Sequence, residues 1–131
     1  IRKAFEELVK FINEMNEEER RATRESLDEE TLAIYDLLRK DNLTKDEEAK
    51  VKEVAIEMLA KLKAEKLKVE RWRESTQVTA QVRTMIHDNL VWLPQESYLD
   101  DEVDTKTIDV YQHIYSNYYG GGASTYNTYA V

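Results

Sequence analysis

All three glycines of this chain stand together at positions 120–122, and its only proline is Pro94. Residues 1–119 therefore hold no glycine, which is hard to reconcile with hairpin turns or phosphate loops that need positive φ. The same stretch is dominated by Glu, Lys, Leu, Ala and Arg, all good helix formers. An all-α fold follows: a compact, irregular bundle of about six helices over residues 1–119. Residues 120–131 (GGGASTYNTYAV) lack both charge and helical period and read as a flexible tail. At 131 residues and 41% hydrophobic side chains, the chain has the size of one domain, able to bury roughly two thirds of its unfolded surface.

Periodicity places the helices. Phe5, Leu8, Val9, Ile12 and Met15 form an apolar stripe at helical spacing. Asn16 with Glu19 starts a short second helix reaching about Arg24. Asp28 is the N-cap of a third, which carries Leu32, Tyr35 and Leu38. Thr44 with Glu47 forms a capping-box pattern and opens a long helix with Val51, Val54, Ala55, Met58, Leu59 and Leu62 on one face. The period fades over 68–73, an irregular connector. Val78, Val82, Met85, Ile86, Leu90 and Leu93 make a fifth helix, stopped by Pro94. A last helix, starting between Ser97 and Asp104, uses Ile108, Tyr111, Ile114, Tyr115 and Tyr118.

Composition removes several function classes. Cysteine is absent, which excludes disulfide scaffolds, Cys-type zinc sites and thiol chemistry, and fits a cytoplasmic setting. No apolar run approaches the roughly 18 residues of a membrane span, and no signal-peptide core opens the chain. Because the first residue is Ile1, the sequence reads as a piece of a longer polypeptide.

Charge is distributed unevenly. The net charge is -8, yet residues 61–83 carry seven basic and three acidic side chains. The stretches on either side, 1–60 and 84–131, each balance at -6. Lys61, Lys63, Lys66, Lys68, Arg71, Arg73 and Arg83 are thus candidates for sequence-neutral phosphate contacts with a nucleic acid, since counterion release depends on a local patch. They cannot all face one groove, because residues 61 and 63 point about 200° apart on a helix. On charge alone a solvated helix face is the commoner explanation of such a band. Trp72, between Arg71 and Arg73, is suited to stacking on a base or to plugging a core edge.

A search for catalytic chemistry assigns none to this chain. The glycines lead into Ala123 and Ser124 rather than the Lys-Ser/Thr of a phosphate loop. The acidic runs 28–30 and 46–48 sit at helix starts, where they complement the macrodipole. Glu48-Ala49-Lys50 matches half of a nuclease motif but lies on a helix instead of a strand. Asp100, Glu102 and Asp104 begin a calcium-loop spacing that fails at Thr105 and Tyr111. His87 beside Asp88, and His113 four residues after Asp109, lack the further partners that acid–base or metal chemistry needs. No catalytic and no metal-binding residue is therefore expected.

Taken in order, several segments together resemble the C-terminal helical domain of the R (motor and nuclease) subunit of type I restriction enzymes. They are Phe5-Glu6-Glu7-Leu8-Val9-Lys10 with Asn16-Glu17-Glu18-Glu19, then Leu43-Thr44-Lys45, the helix over 51–63, and Trp72-Arg73 with Gln77. The stretch 82–90, Leu93-Pro94, Tyr98 and Val110-Tyr111-Gln112-His113-Ile114-Tyr115 complete the set. The resemblance covers about residues 5–118 and leaves out the glycine-tyrosine tail. It implies a parent subunit whose nuclease and motor domains use ATP and magnesium, with neither cofactor bound by this chain. It implies as partners the methyltransferase and specificity subunits and double-stranded DNA, with no membrane. The expected function is to dock the DNA translocase and endonuclease on the methyltransferase core. Trp92, Tyr111 and Tyr115 are candidate partner anchors, although helical spacing suits Tyr111 and Tyr115 to the core as well. The competing expectation is an independent helical scaffold unrelated to restriction.

Overall fold

The computed structural model describes residues 27–126. Among them run four α-helices: α1 (Glu29–Leu38), α2 (Lys45–Glu65), α3 (Thr76–Leu90) and α4 (Asp100–Asn117). A 3-10 turn at Trp72–Glu74 precedes α3, and strands β1 (Tyr118–Gly120) and β2 (Ala123–Ser124) follow α4. The fold is mostly helical, as expected, but is not purely α. The count of about six helices is not reached among the described residues. The two helices expected over 5–15 and 16–24 lie outside them.

Local capping explains where the helices begin. The Asp28 carboxylate accepts from the Thr31 amide at 2.8 Å, satisfying one of the first-turn donors that a helix leaves unpaired. Thr44 and Glu47 exchange side-chain and backbone hydrogen bonds, both at 3.1 Å, completing the expected capping box. Ser75 caps α3 through the Val78 amide. Helix α4 has no side-chain cap at Leu99, and Asp100, Asp101 and Glu102 fill its first turn instead, where their negative charge is stabilised by the helix dipole.

The ends differ from expectation in two places, the first being Tyr118, which was expected in the last helix and opens β1 instead. Helix α3 stops at Leu90 rather than running to Pro94. The Asn89 side chain donates to the Met85 carbonyl at 2.8 Å. The Trp92 and Leu93 amides bond three residues back, to Asn89 and Leu90. This tighter winding turns Leu93 into the core while leaving Trp92 outside, and the residue before a proline is biased away from helix in any case.

Helix α3 packs most extensively on α4 and also on α2, while α1 packs on α2 and α4. The core formed between them includes Ile34, Leu38, Met58, Leu62, Trp72, Ile86, Leu90 and Ile114, all fully buried. The six apolar positions expected on α2 are its six buried ones. Helix α4 is different. Its buried stripe is Val103, Thr107, Val110 and Ile114, rotated roughly 100° at 3.6 residues per turn from Ile108, Tyr111 and Tyr115. Those three, expected on the core face, are instead exposed or half-buried.

Two polar knots pin the helices. Lys40 bridges to Glu102 at 2.7 Å and to the Ser97 carbonyl, with its ammonium over the Tyr98 ring. Ser97 in turn donates to Glu47, and Tyr98 to the Leu38 carbonyl, so the α1 end, the α2 start and the α3–α4 loop meet there. Burial pushes the Tyr98 phenol up to about 12. At the other end Glu30 takes Lys63 at 2.9 Å and the Tyr118 hydroxyl at 3.1 Å.

The segment after α4 corrects the expected flexible tail as far as Tyr126. Tyr118 pairs with Ser124 and Gly120 with Ala123 in an antiparallel hairpin. Its turn takes Gly120, Gly121 and Gly122 through positive φ. The Gly121 and Gly122 amides then bond the carbonyls of Val69 and Leu67, each at 3.2 Å. The glycines thus mark a tight turn laid on the α2–α3 connector.

Candidate functional site

Rotation of α4 creates the most distinctive surface of the molecule. Tyr111 and Tyr115 lie one turn apart on its outer side, with ring centroids 6.1 Å apart, and Tyr119 continues the row from β1. Two arginines from elsewhere in the chain lie against this row. Arg83, on α3, places its guanidinium 4.9 Å from the Tyr111 ring centre. Arg73, on the 3-10 turn, sits 5.6 Å from Tyr115 and 5.3 Å from Tyr119. It also donates to the Tyr115 carbonyl at 3.1 Å. Each ring holds its guanidinium by the attraction of a cation to the π face, about 0.5–1 kcal/mol at an exposed site.

Trp72 supports this row from below. It is fully buried, meets Tyr115 edge-on at 5.9 Å and donates its indole N–H to the Tyr118 carbonyl at 3.2 Å. Of its two expected roles it fills the packing one, and its ring is out of reach of a base. Ile108, 54% exposed, extends the row in the opposite direction. There a groove of about 670 Å³ runs between α3 and α4, bordered by Arg83, Ile108 and Tyr111. His87 and Asp104 close it, with the His87 Nε2 3.4 Å from an Asp104 carboxylate oxygen.

The basic residues read from the sequence do not form one stripe. Lys63 is tied to Glu30, and Lys66 donates to Gln81 at 2.9 Å. Lys61 borders a separate hollow between α2 and the α3–α4 loop, together with Trp92. Lys68 and Arg71 are exposed on the connector, and Arg71 adopts a left-handed backbone, φ 54°. Only Arg73 and Arg83 share the tyrosine row. Among the candidate anchors, Tyr111 and Tyr115 belong to that row, whereas Trp92, 68% exposed, stands apart over α2.

The histidines find other partners than their sequence neighbours. His87 faces Asp104 rather than Asp88. His113 contacts Asn117 and the Tyr126 hydroxyl, and burial holds its imidazole below the ordinary histidine range. Among the described residues, no three His, Asp or Glu side chains converge into a metal site, and no helix is long and apolar enough to cross a membrane. The acids with calcium-loop spacing have other contacts: Asp100 lies in the first turn of α4, Glu102 bonds Lys40, and Asp104 contacts His87.

Sequence reasoning missed Tyr119 and the exposure of Ile108. The four-residue recurrence of Tyr111, Tyr115 and Tyr119 was the available signal, hidden because Ile114 and Tyr118 fit a core stripe at the same period.

Comparison with known proteins gives a family match. Residues 2–116 match the family described as type I restriction enzyme HindI endonuclease subunit-like, C-terminal. No curated protein and no solved structure matches the chain. The match spans nearly all of the sequence and stops just before the hairpin, so this chain belongs to the family of C-terminal domains of HindI-like type I restriction enzyme endonuclease subunits.

Proposed function

We propose that this domain is a non-catalytic assembly module. It docks the ATP-driven translocase and endonuclease of its subunit on the methyltransferase core of a cytoplasmic restriction complex, and adds sequence-neutral contacts to double-stranded DNA. The carrying observation is the family match over residues 2–116 to a C-terminal domain of the endonuclease subunit. An exposed row of tyrosines and arginines agrees with it, because those residue types dominate the energetics of protein interfaces. ATP and magnesium are assigned to the motor and nuclease domains of the subunit. The test deletes residues 1–131 from the full subunit and follows sedimentation with the methyltransferase and specificity subunits. Loss of the complex is expected; normal assembly would overturn the proposal.

For DNA, the connector cations Lys66, Lys68 and Arg71, which follow one another around the turn from α2 to α3, are the three of the seven candidates to test together. Phosphate contacts carry no sequence information, and each one steepens the log–log salt dependence by about 0.9 on duplex DNA. Reversing these three charges in the full subunit should weaken binding to unrelated duplexes equally and flatten the salt slope. Unchanged affinity and slope would reduce the band to a solvated surface.

A further inference from the structure

The tyrosine row makes the docking reading specific, and the inference here rests on that reading. We infer that the outer face of α4, with Arg73 and Arg83 laid on Tyr111, Tyr115 and Tyr119 and with Ile108 beside them, binds an acidic amphipathic helix of a partner subunit.

Three observations select that occupant. The first is charge. Residues 84–131 balance at -6, yet this face presents two guanidiniums, so it attracts carboxylates locally on a surface that is otherwise acidic. The second is spacing. Tyr111 and Tyr115 are one helical turn apart, with ring centroids 6.1 Å apart, and each ring has one guanidinium against it. Side chains one turn apart on a facing helix have Cβ atoms about 5–6 Å apart, so successive turns of such a helix can meet successive turns of this row, where a carboxylate can take the planar fork of an arginine. The arginines are already held by the rings, and Arg73 also by the Tyr115 carbonyl, so less side-chain freedom is lost on binding.

The third is the apolar surface between them. Ile108 is 54% exposed and Tyr115 and Tyr119 are each 41% exposed, beside the groove between α3 and α4. A helix laid into a groove buries such side chains through its own apolar face. A DNA backbone offers them nothing to pack against.

The test uses the full subunit with the assembled methyltransferase–specificity core, and a mixed-sequence duplex as a second probe. One variant combines Arg73→Gln with Arg83→Gln, and the other is Ile108→Asn. Ile108 is mostly outside the core, so that variant retains the fold, checked by circular dichroism. Each variant should weaken association with the core by at least about tenfold, the loss typical of an interface anchor. Ile108→Asn should leave duplex affinity at the wild-type value. Wild-type core affinity in Ile108→Asn overturns the inference, as does an equal loss for the duplex, which would make DNA the occupant. Self-association of the isolated subunit that Ile108→Asn abolishes would overturn it in favour of a second copy. If deleting residues 1–131 abolishes core association while these variants do not, the docking reading stands and only this face is wrong. If neither has an effect, both fall.

Discussion

Gly120 shows how much of this fold hangs on single backbone positions. Its φ of +98° and the closeness of the connector leave no room for a side chain: a Cβ there would meet the Arg71 amide nitrogen at 2.8 Å and the Val69 carbonyl at 3.1 Å. Both neighbours are backbone and cannot swing aside. Gly122, also at positive φ, has nothing within 4 Å of the same position. Gly120→Ala should therefore cost about 2 kcal/mol or more, combining strain with a clash. Gly122→Ala should cost about 1 kcal/mol, from the left-handed backbone alone. Urea unfolding of the two variants ranks them, and equal losses would show that the hairpin does not press on the connector. Arg71 was not legible at this scale. Nothing in the sequence Glu70-Arg71-Trp72 announces a left-handed residue, since arginine is not a type that favours it.

Helix starts were the most legible elements, because a cap is a local device written within four residues. Asp28 and the pair Thr44 and Glu47 could be read without knowing any tertiary contact. Which side of α4 turns inward could not be read. Two apolar stripes share that helix, and the winning one rests on Val103 and Thr107, the latter a polar residue whose hydroxyl bonds back to the Val103 carbonyl at 2.8 Å. The α1–α2–α4 junction carries a pH dependence. The Ser97 hydroxyl and the Thr44 amide hold the Glu47 carboxyl below its ordinary value of 4.5, and Lys40 does the same for Glu102. A depressed folded pKa means that the unfolded chain binds more protons in this range. The stability these groups supply is thus complete above the ordinary value and is lost as pH falls through the depressed one. The combined variant Glu47→Gln, Glu102→Gln should melt below the wild type at neutral pH. Between about pH 5 and pH 3 its melting temperature should fall less steeply. Parallel melting curves across that range would remove these two carboxyls from the acid response.

For the whole molecule, the helical bundle was legible from composition and period, but the closing hairpin was not. A glycine-free stretch was rightly read as helical. The glycine triplet was then read as looseness, although Gly-Gly is also a turn signal between strands, and its flanking strands are too short to show alternation. That hairpin closes the connector over Trp72. Truncating the chain after Tyr119, in a Trp92→Phe background that leaves Trp72 as the only indole, should shift its emission to the red and lower the melting temperature. An unshifted spectrum would mean that the four helices alone keep Trp72 dry. The bond from the Trp72 indole to the Tyr118 carbonyl spans 46 residues, and this has a temporal meaning. A ribosome adding about 5–20 residues per second needs several seconds to go from one partner to the other. Through that interval the nascent chain lacks the carbonyl that the Trp72 indole N–H takes in the folded domain, so this contact is closed only after all of α4 has been made.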